Sequence, residues 1–214
     1  LYAWFRVLAP EARPEAIVCG SVVPNANDAI RRLGDKHFGL PVKFLRTGDD
    51  VGLRVTYDPP HAVGADRIAN ALGALALYAP PIVVVDFGTA TTFDTVDRNG
   101  DYVGGAILPG PRLGAEALAA KTAKLPQIEF VAPPRAIGRN TVESLQSGLV
   151  LGYAGAIDAL ASRIDAELGG GTTIVSTGGL GALFVDRCAT ISAHHPELTL
   201  DGLLLAADRM AFAK

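Results

Sequence analysis

Cysteine is almost absent from this chain. Of 214 residues only Cys19 and Cys188 are cysteines, far apart and without a C-x-x-C spacing. A disulfide framework and a thiolate metal site are both excluded, which leaves two reduced, buried thiols in a cytosolic setting. An excess of basic charge is lacking too: the formal net charge is −3, and no Lys/Arg-rich run occurs. A nucleic-acid binder needs a basic stripe to meet the phosphates, so that class is set aside. No apolar stretch reaches the roughly 18 residues that span a bilayer, and Ile82–Val85 has the length and composition of a buried strand. Low-complexity tracts and repeats at solenoid periods are missing as well. What is present is a chain 49% hydrophobic and 19% charged, a balance that builds a packed core and argues against disorder.

Periodicity then orders the chain. Leu1, Trp4, Phe5 and Leu8 repeat at helical spacing, so the sequence is expected to open inside a helix that continues an upstream segment. Ala16–Val23 reads as a buried strand, Asn27–Gly34 as a helix, and Val42–Leu45 and Leu53–Thr56 as short strands. Tyr57-Asp-Pro-Pro60 is a turn, because two prolines in a row suit neither a helix interior nor a central strand. Val63–Tyr78 is helical. Ile82–Phe87, Thr91–Val96 and Tyr102–Leu108 read as three strands, the last two joined through Asn99-Gly100, a strong hairpin signal. A helix over 113–121 precedes a proline-bearing loop. A long helix over 141–168 comes next, with Leu145, Leu149, Ala156, Leu160 and Ile164 on its stripe and Asn140 with Glu143 as a capping pair. Thr172–Ser176 is a strand, Gly178-Gly179 a turn, and Asp201–Phe212 a terminal helix. The sum is an α/β layered chain.

Four polar clusters interrupt this frame. Asp86-Phe-Gly-Thr-Ala-Thr-Thr92 ends a buried strand with an acid, a glycine and hydroxyls, a combination suited to a phosphate or metal-phosphate site, or else a polar turn. A protein-kinase Asp-Phe-Gly reading fails, since no His-Arg-Asp loop precedes it and a strand comes after. Gly64-Ala-Asp-Arg67 opens a helix, where free N–H groups bind anions and the dipole favours an ionised Asp66 able to accept a proton. Arg67 there offers a planar fork to a carboxylate or phosphate, unless the pair merely decorates the helix start. Gly138-Arg-Asn-Thr141 opens the long helix, where capping alone accounts for Asn140. Ser176-Thr-Gly-Gly179 succeeds a strand, where bare backbone suits a base or ribose, or a simple turn. His194-His195 has no third ligand at sensible spacing and reads as a surface loop.

In order, these segments resemble type III pantothenate kinases. The resemblance is carried by Tyr57-Asp-Pro, Gly64-Ala-Asp-Arg67, Asp86-Phe-Gly-Thr-Ala-Thr-Thr-Phe-Asp94, Gly104-Gly-Ala-Ile-Leu-Pro-Gly110, Lys121-Thr-Ala-Lys-Leu-Pro126, Ile137-Gly-Arg-Asn-Thr141 and Gln146-Ser-Gly148, from about Cys19 to the C-terminus. It implies the acetate and sugar kinase/actin fold of two ribonuclease-H-like domains, with residues 1–80 the remainder of an incomplete first domain and residues 81–214 the second. It further implies ATP-dependent phosphorylation of pantothenate with Mg²⁺ and a monovalent cation (K⁺ or NH₄⁺), in a cytoplasmic homodimer without nucleic-acid or membrane partners. By matching motif, Asp66 is the expected proton acceptor. Tyr57, Gly64, Ala65, Asp66, Arg67 and Thr141 are expected substrate contacts, Thr89 an ATP contact and Asp86 the monovalent-cation ligand. Ser176 to Gly179 are placed near the adenosine.

One departure stands out. The family opens with an Asp-x-Gly-Asn-Thr phosphate loop, and these 214 residues do not contain it. The chain as it stands is therefore expected to be a poor kinase, either because its sequence continues upstream or because it is a non-catalytic relative that regulates or binds partners. A third reading keeps the fold and changes the acceptor to a sugar or short-chain acid.

Overall fold

The computed structural model describes residues 7, 9, 11–121 and 125–212. The helix expected from Leu1, Trp4, Phe5 and Leu8 lies outside the described residues, as do Thr122, Ala123 and Lys124 of the Lys121–Pro126 segment. A five-stranded mixed sheet forms the centre: β3 (Ile82–Phe87), β4 (Ala90–Val96), β5 (Tyr102–Pro109), β6 (Thr173–Thr177) and β7 (Ala193–His194), in the order β5-β4-β3-β6-β7. The β3-β4-β5 meander is antiparallel, whereas β6 joins β3, and β7 joins β6, in parallel. β3 sits at the middle because its Ile-Val-Val-Val run buries both faces, as a central strand flanked by helices requires. The β4–β5 link is a three-residue loop rather than a two-residue one. Gly100 N donates to Asp97 O at 3.0 Å, and Gly100 takes φ 83°, a type I turn closed by a left-handed glycine.

Helices cover both faces. On one, α2 (Ala65–Leu77) and α7 (Leu198–Phe212) pack against Ile82, Val84, Val96, Tyr102 and Val175. On the other, α5 (Tyr153–Glu167) packs Ala154, Ile157 and Ala161 against Val83, Val85, Phe87 and Phe93. The short elements β1 (Ile17–Cys19) and β2 (Val42–Phe44) pair in parallel beside α1 (Asn27–Leu33). Leu45, Val51, Leu53 and Val63 extend the α2/α7 core, so buried residues on both sides of position 80 share one cluster. α3 (Pro111–Lys121), α4 (Thr141–Gln146) and α6 (Gly181–Phe184) complete the described α-helices.

Four expectations need correction. Leu53–Thr56 is not a strand: only Val55 bridges to Tyr102, because β5 begins there and the turn at Tyr57 leads the chain away. The 141–168 helix forms, but Ser147–Gly152 is a π-helical stretch. A π-turn carries an extra residue and rotates the succeeding turns of the helix. The buried set therefore becomes Val150, Ala154, Ile157 and Ala161, one place on from Leu149, Ala156 and Leu160. α6 and β7 join the expected elements, both too short to leave a periodic signal in the sequence. His194 and His195 are not in a surface loop: His194 lies on β7 with Nδ1 3.1 Å from Ser176 Oγ, and His195 Nε2 is 2.7 Å from Tyr78 Oη.

The crossing of α2 and α7 is close because Gly202 has no side chain. A Cβ there would lie 1.9 Å from the carbonyl oxygen of Ala69. Backbone cannot yield as a flexible side chain can, so Gly202→Ala should lower the melting temperature by roughly 3–10 °C. Gly155→Ala, in the interior of α5 with nothing within 4 Å of the new methyl, should instead stabilise by about 0.5–1 kcal/mol. Thermal and urea unfolding of the two variants check both signs.

Candidate active site

On the α2/α7 face, the sheet presents polar side chains where the core would otherwise continue: Asp86 from β3, Thr92 and Asp94 from β4, and Tyr102 from β5. Asp94 is fully buried, a costly place for a carboxylate unless donors surround it. Its Oδ1 accepts from Arg67 Nε at 2.6 Å and from Tyr102 Oη at 3.1 Å. Its Oδ2 accepts from Asn70 Nδ2 and from Thr92 Oγ1, each at 3.2 Å. Burial opposes the charge on Arg67, but the Asp94 carboxylate more than offsets this and holds the guanidinium above its ordinary pKa. Burial pushes the Asp94 carboxyl upward against the pull of Arg67. Four donors converge on its two oxygens, an arrangement that favours the charged pair against the cost of burial. Arg67 Nη2 also donates to Phe93 O at 3.4 Å, and its fork stands 5.7 Å from the Tyr102 ring centre.

The sequence-expected residues distribute around this pair. Asp66, half-buried in the first turn of α2, uses Oδ1 to accept from Arg67 N at 2.9 Å, and Oδ2 has no hydrogen-bond partner among the described residues. Gly64 caps the helix, and a Cβ there would lie 2.5 Å from Asp66 Oδ1; Ala65 is buried beside it. Tyr57 lays its ring on β5, where a Cβ at Gly104 would be 3.3 Å from its Cδ2. Asp86 is bonded by the same Asn70 Nδ2 at 3.1 Å. Burial lifts the Asp86 pKa, Asn70 opposes that, and the nearby charge of Asp66 adds to the rise, so Asp66 and Asp86 share one electrostatic site.

Ser176–Gly179 passes directly over Asp86. Gly178 takes φ 86°, and a Cβ there would lie 2.5 Å from Asp86 Oδ1. Thr177 stands in parallel register with Asp86, and its Oγ1 is buried without a hydrogen-bond partner. Beyond Phe87, exposed Thr89 borders a cavity of about 330 Å³ shared with Arg112, Leu113, Gly179 and Leu180. A second cavity, of about 460 Å³, opens at the start of α2 between Gly64, Ala65, Arg46 and His61.

Thr141 is not brought to this group. It is exposed at the start of α4 and makes no hydrogen bond to Asp66 or Asp86 among the described residues. That helix start closes on itself: Asn140 Oδ1 accepts from Glu143 N at 2.9 Å, and Glu143 Oε2 accepts from Arg139 N at 2.9 Å, the expected capping. No group of three His, Cys, Asp or Glu suited to a metal exists among the described residues. Sequence reading misses Asn70, Tyr102 and Thr199. Of these Asn70 carries a signal, the one polar side chain after Arg67 on a helix that continues in Ala, Leu, Ile and a single Gly.

Removing one partner of a buried ion pair leaves the other charge stranded. Asp94→Ala should therefore destabilise the protein by about 3–5 kcal/mol. The Arg54–Asp101 pair, 3.2 Å apart with Arg54 76% exposed, is screened, and Arg54→Ala should cost about 1 kcal/mol or less. Urea unfolding of the two variants tests the contrast.

Known proteins share this sequence and fold. A model of the type III pantothenate kinase family matches residues 1–163. The type III pantothenate kinase of Myxococcus xanthus is 43% identical over 194 residues, covering 91% of this chain and 76% of that protein. That of Moorella thermoacetica is 40% identical over 195 residues, covering 91% and 77%. That of Roseiflexus castenholzii is 45% identical over 190 residues, covering 89% and 74%. Among solved structures, one described as a conserved Baf family transcriptional activator from Campylobacter jejuni superposes with a TM-score of 0.63 at 20% identity. It covers 92% of this chain and 84% of that one, a likeness of fold alone.

Proposed function

Since the chain belongs to the type III pantothenate kinases, we propose that the cluster around Asp94 is where its acceptor is held and deprotonated. The reaction is transfer of the ATP γ-phosphoryl group to the hydroxyl of pantothenate, in coenzyme A biosynthesis. Phosphoryl transfer asks little covalent chemistry of a protein and much positioning and charge neutralisation. The observation that carries the reading is the convergence of Asp66 and Arg67, from the motif that opens α2, with Asp86, from the motif that ends β3, on one electrostatic site.

Asp66 is assigned the proton acceptor. Its Oδ2 is free of other hydrogen bonds among the described residues. A primary alcohol has a high pKa, so the proton passes to Asp66 late, as the new P–O bond forms. Arg67 is assigned the pantothenate carboxylate: Nε and Nη2 are taken by Asp94 and Phe93, which leaves Nη1 to reach outward. Tyr57, Gly64 and Ala65 line the acceptor side. Thr89 is assigned to ATP, with the cavity it borders taking the adenosine beside Gly179. Thr141 makes no hydrogen bond to this group among the described residues, and its role as a substrate contact is assigned from its motif, in a homodimer.

Asp86 suits a monovalent cation. The unpartnered Thr177 Oγ1 beside it is the kind of orphan oxygen such an ion satisfies. A bound cation there supplies positive charge next to the transferring phosphoryl group. Mg²⁺ would come with the nucleotide and would supply charge neutralisation at its phosphates. The strand order supports residues 81–214 as a ribonuclease-H-like domain of the acetate and sugar kinase/actin type, with residues 1–80 part of a first such domain. A cytoplasmic enzyme is in keeping with this substrate, and no helix among the described residues is long and apolar enough to cross a membrane.

Asp66→Asn keeps the side-chain shape and removes the base. In the full-length protein, pantothenate-dependent ADP release should fall by about 10²-fold or more, with the melting temperature within about 2 °C of the parent. Turnover unchanged by the substitution would remove Asp66 from this role.

A further inference from the structure

Asn70 is fully buried one turn along α2 from Asp66, at the junction of the two acidic groups of the site. Its single Nδ2 serves two carboxylates, Asp86 at 3.1 Å and Asp94 at 3.2 Å. An amide turned end for end would aim its oxygen at both, so the two acids determine which end faces them. The other end is held from a distant part of the chain. Thr199, in the first turn of α7, donates its hydroxyl to Asn70 Oδ1 at 2.6 Å. Three links therefore run in series: Thr199 to Asn70, Asn70 to Asp94, and Asp94 to the Arg67 fork.

We propose that the Thr199–Asn70 hydrogen bond is a positioning device for the acceptor, by which α7 sets the placement of Arg67 and hence the affinity for pantothenate. This rests on the assignment of Arg67 to the acceptor carboxylate. Thr199 lies outside the cavities bordered by Thr89 and by Gly64, so it acts through Asn70 and not by contact. Without its hydroxyl, the buried Oδ1 loses its partner and the amide must shift, which takes a donor from Asp94 and loosens the guanidinium. A threonine that served only to fasten α7 to α2 would change stability and leave substrate affinity alone.

Steady-state kinetics and thermal unfolding of full-length Thr199→Val, Thr199→Ser and Arg67→Lys separate these cases. Thr199→Val should raise the pantothenate KM about 3–10-fold, the range set by one lost hydrogen bond, with the ATP KM within about twofold. Thr199→Ser restores the hydroxyl and should return the pantothenate KM to within about twofold of the parent. Arg67→Lys should raise that KM further, since a lysine cannot reproduce the fork. If Thr199→Val lowers only the melting temperature while Arg67→Lys raises the KM, the positioning role is overturned and the Arg67 assignment stands. A KM rise that serine does not reverse also overturns it. A pantothenate KM unchanged in Arg67→Lys overturns both. Should the valine variant not fold, Thr199→Ala carries the same expectation.

Discussion

A carboxylate with no access to water governs this structure. Asp94 is fully buried on a strand in the core, and it is tolerable there only because Arg67, Tyr102, Asn70 and Thr92 all donate to it. That requirement ties α2 to β4 and β5 at a defined depth and rotation, because donors from all three elements must reach the same two oxygens. The hydrophobic effect supplies most of the attraction between α2 and the sheet, through Ile68, Leu72 and their neighbours. Apolar packing alone would accept several registers. The ion pair selects one, and that one sets Asp66 beside Asp86.

Function thus depends on where a core is interrupted. β3 is apolar through Val85 and turns polar at Asp86, at its C-terminal end, where open α/β sheets place their ligands. The parallel neighbour β6 ends at the same level in Thr177, with Gly178 just beyond. Only a residue without a side chain lets that turn lie on Asp86. On the proposed reading, the acceptor half approaches from α2 and the nucleotide half from the loop of Gly88 and Thr89, and the two meet over Asp86.

Much of this is legible in the sequence, and for physical reasons. β3, β4, β5 and α2 show because long apolar periods and Asn99-Gly100 are local signals. The Asn140–Glu143 cap shows because capping is written within four residues. The short strand β7 and helix α6 do not, since their stability comes from neighbours. The stripe of the 141–168 helix is displaced by a π-turn that no period reveals. At the site, Asp66, Arg67 and Asp86 are nameable from their motifs. Their dependence on Asp94, Asn70 and Thr199 is not, because those bonds join residues 24, 27 and 129 positions apart. Thr141 marks the converse: a motif residue that one chain leaves away from the cluster.

The most direct test of the acceptor site is a crystal structure with pantothenate and a non-hydrolysable ATP analogue bound. The acceptor carboxylate should sit on Arg67, and the acceptor hydroxyl within about 2.6–3.2 Å of Asp66 Oδ2. A carboxylate bound away from Arg67, or a hydroxyl directed at another base, would contradict this assignment.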